Sequence, residues 1–193
     1  MYYQSQVDGV VRVPPKLFAE KLSKAIMAQL KKDYEGNIID VLGKVIAVLR
    51  VEKIGEGIII PGDGAAYYKT QFTAINYIPE IQEIVEGEIK DIAAFGAFVD
   101  FGPFEGLIHI SQTMDDFVSF SKQGVLMGKE SSRALKIGDK VRARIVAISF
   151  KNPTNPKIGL TMRQPCLGKI EWLLGKEEKP KTKKQKKPKV KKK

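Results

Sequence analysis

The chain has 193 residues, 43% of them hydrophobic, which is enough apolar material for one large or two small packed cores. No run approaches the roughly 18 to 20 apolar residues of a membrane-spanning helix, and a single cysteine, Cys166, makes no internal disulfide and no cysteine-based zinc site. The formal charge of +11 is concentrated at one end: eleven lysines and two glutamates between Lys176 and Lys193 carry +9 and leave +2 for residues 1–175.

The opening residues, MYYQSQVDGVVRV, lack the basic-then-apolar order of a signal peptide, so a reducing, cytoplasmic setting is expected. They are rich in β-formers and predict a strand. Pro14-Pro15 closes it and presets the first turn of a helix. Leu17, Phe18, Leu22, Ile26 and Leu30 recur at helical spacing, with Lys21, Lys24, Lys31 and Lys32 on other faces, so one amphipathic helix is predicted, stopping at Gly36. VLGKVIAVLRVEKI, GIII and YKTQFTAINYI then predict strands of an antiparallel sheet on which that helix packs. The first half is α+β.

Between the last two of these runs, Pro61, Gly62, Asp63, Gly64 and Ala65 make a sharp turn. It reads as a plain hairpin turn or as an exposed tip that docks into a partner. GAAYYKT, Gly64 to Thr70, is no phosphate loop, because Tyr68 stands where a glycine must precede the lysine.

Near Tyr77-Ile78-Pro79-Glu80 the strand pattern stops, which places a boundary near residue 82 and divides the chain into residues 1–82, 83–175 and 176–193. VEGEIKDIAA, AFVDF, GLIHIS, KVRARIVAIS and KIGLTMR predict five short strands broken by glycine-containing turns, suited to a small closed or nearly closed all-β barrel. The connection from Ser111 to Gly138 is long for a compact domain and is expected to carry structure of its own or to serve a contact. The lysine-rich end is low-complexity and reads as disordered, either a solubilising arm or a non-specific contact to nucleic acid.

Side-chain alternation sorts the barrel strands into two faces. Ile108, Ile110, Val141, Ala143, Ile145, Ala147, Ile158, Leu160, Met162, Val99 and Phe101 take the inward positions. Phe98, Leu107, His109, Arg142, Arg144, Lys157 and Arg163 then point outward. Phe95 has inward parity unless a bulge at Gly96 resets the register. With that bulge, Phe95, Phe98, His109, Lys90, Arg142 and Arg144 share one surface of flat rings and cations, a combination that holds single-stranded nucleic acid by stacking and phosphate neutralisation.

VEGEIKDIAAFGAFVDFGPFEGLIHISQ, followed by IGDKVRARIVAISF and IGLTMR, resembles the S-one RNA-binding domain, an OB-fold barrel. The resemblance implies RNA contacts at Phe95, Phe98 and His109, with Arg144 and Lys157 from late in the barrel. Ser149 replaces the usual acidic residue, and KNPTNP lengthens the turn that follows. A wider set of motifs, VRVPPKLF, GKVIAVL, EGIIIPGDGAAYY, YIPEIQEIVEGE, HISQTMDDFVSF, GKESSRAL and TMRQPCLGKIEWL, resembles the larger stalk subunit of archaeal RNA polymerase and its counterpart, the seventh subunit of the eukaryotic enzymes. That resemblance implies a non-catalytic polymerase subunit without a cofactor, docked on the core by the tip around Pro61 to Ala65. It also implies a heterodimer with the small stalk subunit, counterpart of the eukaryotic fourth subunit, together with contact to emerging single-stranded RNA and a cytoplasmic, nucleoid-associated location.

Two other readings stand beside it. A free-standing RNA-binding factor of translation or RNA decay has no need of the PGDGAAYY tip. A metal-dependent nuclease using Asp115 and Asp116 needs carboxylates that converge from separate elements, which neighbours in one loop do not supply.

Overall fold

In a computed structural model describing residues 1–121, 124–131, 133–150 and 156–175, strand β1 spans Tyr2–Val13. The lysine-rich end and most of the KNPTNP turn lie outside the described residues. After β1 the chain makes a tight 3-10 turn over Pro15–Leu17, held by Leu17 N–H to Pro14 O at 3.0 Å and Phe18 N–H to Pro15 O at 3.1 Å. Only then does helix α1 begin, over Leu22–Tyr34. The helix therefore starts later than the apolar spacing from Leu17 implies, and Phe18 and Leu22 are exposed. The cause is local: the two prolines hold the chain in that turn, and Lys21 is extended (ψ 131°) at the N-cap. At the other end Gly36, at φ +79°, takes the left-handed conformation that lets the chain leave the helix.

Strands β2 (Ile38–Ile39), β3 (Gly43–Ile59) and β4 (Ala66–Tyr77) complete an antiparallel sheet of order β1-β4-β3-β2. VLGKVIAVLRVEKI and GIII belong to one strand, β3, whose pairing with β4 slips four times. Ile26 and Leu30 of α1 are fully buried against Val11, Val13, Val45, Val48 and Phe72. Each such side chain contributes about 1.5–3 kcal/mol by leaving water.

The remaining chain forms β5 (Ile84–Ala93), β6 (Gly96–Asp100), β7 (Glu105–His109), β8 (Val118–Ser121), β9 (Val125–Gly128), β10 (Ala134–Leu135), β11 (Lys140–Ser149), β12 (Lys157–Thr161), β13 (Gly168–Lys169) and the short helix α2 (Ile170–Leu173). Strands β12-β7-β6-β5-β11 pair in that order, and β12 pairs β11 again. The five strands thus close on themselves as an OB-like barrel, which removes the unpaired edges of an open sheet. The long connection carries its own sheet, β10-β9-β8, whose Leu126 and Leu135 seal one side of the barrel core.

Inward parity holds for Val99, Ile108, Val141, Ala143, Ile145, Ile158, Leu160 and Met162, all buried, with Phe101 and Ile110 partly buried against them. Ala147 does not follow. Pairing of β11 with β12 shifts between Ile145 and Ala147, so Val146 and Ala147 are exposed and Ile148 packs on the core instead. A bulge inserts one residue and inverts every parity beyond it.

The sheet and the barrel meet around Tyr77, the last residue of β4. It is 2% exposed and belongs to the barrel's core, with its ring 5.9 Å from Phe104 and 4.9 Å from Tyr2. Its hydroxyl donates to Glu83 at 3.0 Å. Burial, and then that carboxylate, push the phenol well above its ordinary pKa. Beside it, the Lys44 ammonium donates to Pro103 O at 2.6 Å and lies over the Phe104 ring.

Candidate nucleic-acid interface

The hairpin joining β5 to β6 turns on two residues, Ala94 and Phe95, because Ala93 pairs directly with Gly96. Phe95 is 52% exposed since it occupies the turn, and no bulge at Gly96 is involved. Gly96 pairs regularly with Ala93 on one side and His109 on the other. The slip in this ladder lies on β5, between Ile89 and Asp91.

From that turn a strip of side chains runs down the outside of the barrel. Phe95 and Phe98 meet edge to face, ring centroids 5.9 Å apart and planes at 88°, a favourable arrangement for aromatic quadrupoles. Phe98 is half-buried and pairs across β7 with Leu107, also half-buried and outward. His109, exposed, faces Gly96 one step further along, and its Nδ1 lies 2.9 Å from Ser111 Oγ. On the far side of β7, Gly159 of β12 pairs with Leu107. Exposed Lys157 stands two residues from Gly159 on the same face of β12. Phe95, Phe98, Leu107, His109 and Lys157 therefore share one surface.

The other cations do not join it equally. Lys90 sits at the β5 bulge and is ion-paired with Glu105, which raises its pKa. Arg142 and Arg144 do share the outer face of β11, but Arg142 lies away from the rings. Arg142 pairs in register with Glu86 and is salt-bridged to it at 2.8 Å. Phe98 stands opposite Asp91, five residues along β5, or about 16 Å at roughly 3.3 Å per residue. Arg144 pairs with Ile84 and, on the other side, with buried Thr161. Its Nη1 reaches Gln82 Oε1 at 3.5 Å, while its Nε is buried with no hydrogen-bond partner among the described residues. A single surface for all six residues is thus corrected: alternation decides inside or outside, whereas position around a closed barrel depends on register. Arg163 lies beyond His109, salt-bridged to Asp115 at 2.8 Å.

Asp115 and Asp116 diverge. Asp116 accepts from Ser131 N–H at 2.9 Å, Ser131 Oγ at 2.8 Å and Glu130 N–H at 3.1 Å, and these bonds, led by the Ser131 amide, hold its carboxyl below the ordinary range. It closes the loop that anchors β8, β9 and β10. Among the described residues no group of three or more His, Cys, Asp or Glu is placed to hold a metal ion, and no helix is long and apolar enough to cross a membrane.

At the opposite end of the molecule, the tip between β3 and β4 is locked from within. Arg12 donates twice to Asp63, at 2.8 Å and 2.6 Å, and Tyr67 OH donates to it at 2.5 Å. The guanidinium, then the phenol, hold the Asp63 carboxyl well below the usual carboxylate range. Pro61, Gly62 and Gly64 lie toward solvent, Asp63 is half-buried, and Ala65 is fully buried. Three consecutive isoleucines beside the turn, Ile58, Ile59 and Ile60, are 58%, 68% and 47% exposed. Sequence reasoning placed GIII in the sheet and missed that its side chains face solvent.

Comparison with known proteins agrees with this division of form. Residues 78–151 match the S1 RNA binding domain, and residues 8–64 match the SHS2 domain found in the N terminus of Rpb7p/Rpc25p/MJ0397. The chain is 41% identical over 175 residues to DNA-directed RNA polymerase subunit Rpo7 of Saccharolobus solfataricus, covering 90% of this chain and 97% of that one. It is 38% identical over 174 residues to subunit Rpo7 of Sulfolobus acidocaldarius, covering 90% and 95%. To DNA-directed RNA polymerase III subunit RPC8 of Bos taurus it is 27% identical over 165 residues, covering 81% of each. With a sheet-and-helix unit and an S1 barrel in the same order, and near full-length identity to its archaeal relatives, the chain belongs to the Rpo7 family of DNA-directed RNA polymerase subunits.

Proposed function

We propose that the chain is a non-catalytic subunit of DNA-dependent RNA polymerase that builds a stalk with the small stalk subunit and holds emerging single-stranded RNA on its barrel. Residues 1–82 dock on the polymerase core near the clamp, residues 83–175 bind RNA, and residues 176–193 form a basic tail of unassigned role. The docking contact is made by Pro61, Gly62 and Gly64 with the apolar shoulder Ile58–Ile60, presented by the Arg12–Asp63 lock. Ala65 supports the turn from inside. RNA bases stack on Phe95 and Phe98, each worth about 1–3 kcal/mol. His109 and Lys157 meet the backbone, Arg144 on β11 beside β12 extends that contact, and Arg163, past the end of β12, reaches a base. The reading needs no cofactor and assigns the protein to the transcription machinery in the cytoplasm, at the nucleoid.

The observation that carries it is identity to Rpo7 relatives over 90% of the chain, both halves included. A free-standing RNA-binding factor leaves the matched N-terminal half unexplained. Affinity purification of the tagged chain from its native cell is expected to recover polymerase core together with a small stalk subunit. Ile59→Asp, at a side chain 68% exposed, is expected to lose the core and keep the small subunit. Recovery of neither partner, or of ribosomes in their place, would contradict the proposal.

A further inference from the structure

Beyond the ring strip, between the 3-10 turn after β7 and the β8–β9–β10 sheet, lies an open cavity of about 460 Å³, within the roughly 300–1,000 Å³ range of small-ligand sites. Ile110, Val118 and Phe117, the last 74% exposed, give it an apolar part. Asp115 and Arg163, joined by bonds of 2.9 Å and 2.8 Å, line it as well, together with Glu130. The cavity is continuous with the strip, because Ser111, which lines it, is the residue whose hydroxyl meets His109 Nδ1 at 2.9 Å.

We propose that this cavity is a further nucleotide subsite, one that takes an unstacked base whose Watson–Crick edge carries an amino group next to a ring-nitrogen acceptor: adenine or cytosine, and not uracil. The proposal rests on the reading of the barrel face as an RNA surface. Phe117 supplies the stacking plane, as single-stranded RNA recognition requires. A carboxylate accepts from the exocyclic amine, and the Arg163 guanidinium donates to the neighbouring ring nitrogen. Uracil presents a carbonyl oxygen where the amine stands, and so sets an acceptor against a carboxylate. Asp115, Asp116 and Glu130 outnumber Arg163 around the cavity, which repels a phosphate and keeps the backbone outside. The subsite gives the protein a base preference that the sequence-tolerant rings of the strip do not.

The test is fluorescence anisotropy of the full chain with oligoadenylate, oligocytidylate and oligouridylate of roughly ten nucleotides, matching the span of a barrel of this kind. Phe117→Ala is expected to weaken the first two at least about five-fold and oligouridylate far less. Glu130→Gln is expected to abolish the preference by raising oligouridylate affinity, because a neutral amide no longer opposes the uracil carbonyl oxygen. Because Phe117 is exposed, the substitution leaves the core intact, and an unchanged melting temperature confirms it. If Phe117→Ala binds all three RNAs like wild type while Phe98→Ala weakens all three, the subsite is wrong and the barrel reading stands. Equal loss on all three would make Phe117 a general stacking ring and overturn the preference. If Phe98→Ala also changes nothing, the barrel reading fails and takes the subsite with it.

Discussion

Gly96 shows how closely the ring strip depends on one residue without a side chain. A Cβ at this position would lie 2.2 Å from Ile108 O and 3.1 Å from His109 Cα, far inside contact distance, so β6 and β7 approach here only because nothing stands between them. That approach sets His109 beside Phe95, whose carbonyl accepts from Ile110 N–H at 2.9 Å. Gly96→Ala is expected to force the strands apart, with a stability loss of about 1–3 kcal/mol in urea unfolding and weaker RNA binding. An unchanged unfolding midpoint would contradict the packing described. At this scale the sequence was readable where parity alone decides: Phe98 and His109 fall outward by alternation. Phe95 was not readable that way, since its exposure comes from a two-residue turn and not from the bulge that Gly96 suggested.

The hairpin of β3 and β4 carries its own device. The Arg12–Asp63–Tyr67 lock fixes the turn beside exposed isoleucines, so this exposed shoulder is held in one shape. The Asp63 carboxyl titrates below its unfolded value. Its contribution is therefore fully present above the ordinary carboxylate range and is lost only as pH falls through the depressed folded value. NMR titration of the Asp63 side chain is expected to show an inflection below that range, and Arg12→Ala is expected to return it toward the ordinary value. An ordinary inflection in the wild type would mean the lock is not formed in solution. The hairpin was legible as Val/Ile runs around a Pro-Gly turn. Its inner lock was not, because Arg12 and Asp63 are 51 residues apart in the chain and no local pattern joins them. For helix α1 the reverse error occurred. Leu17 and Phe18 fit the apolar spacing, but Pro14-Pro15 imposes a 3-10 turn that restarts the helix five residues later.

Across the whole molecule, Tyr77 makes one body of two units. Its ring fills the barrel core while its backbone ends the N-terminal sheet. Tyr77→Ala is expected to cost about 3–5 kcal/mol, as large aromatic truncations do, and to let the sheet and the barrel unfold at separate urea midpoints. A single transition at the wild-type midpoint would contradict this coupling. Because the phenol's pKa is raised, its share of stability is complete below the ordinary tyrosine range and is lost as pH rises through the folded value. The two-unit plan and the five barrel strands were legible, being written in local apolar periodicity and turn residues. The grouping of the cations was not: Arg142 lies about 16 Å along β5 from the rings, because barrel closure assigns each outward residue a bearing that alternation does not encode. The same limit hid Phe117, which the β8–β9–β10 sheet brings to the end of the ring strip. The central claim is that the outward rings form a surface for single-stranded RNA, and its most direct measurement is an anisotropy titration of the full chain and Phe98→Ala with a mixed-sequence RNA across a range of salt. The account predicts that the substitution weakens binding by about 1–3 kcal/mol with melting temperature and salt slope unchanged; wild-type affinity in the variant at every salt concentration would contradict it.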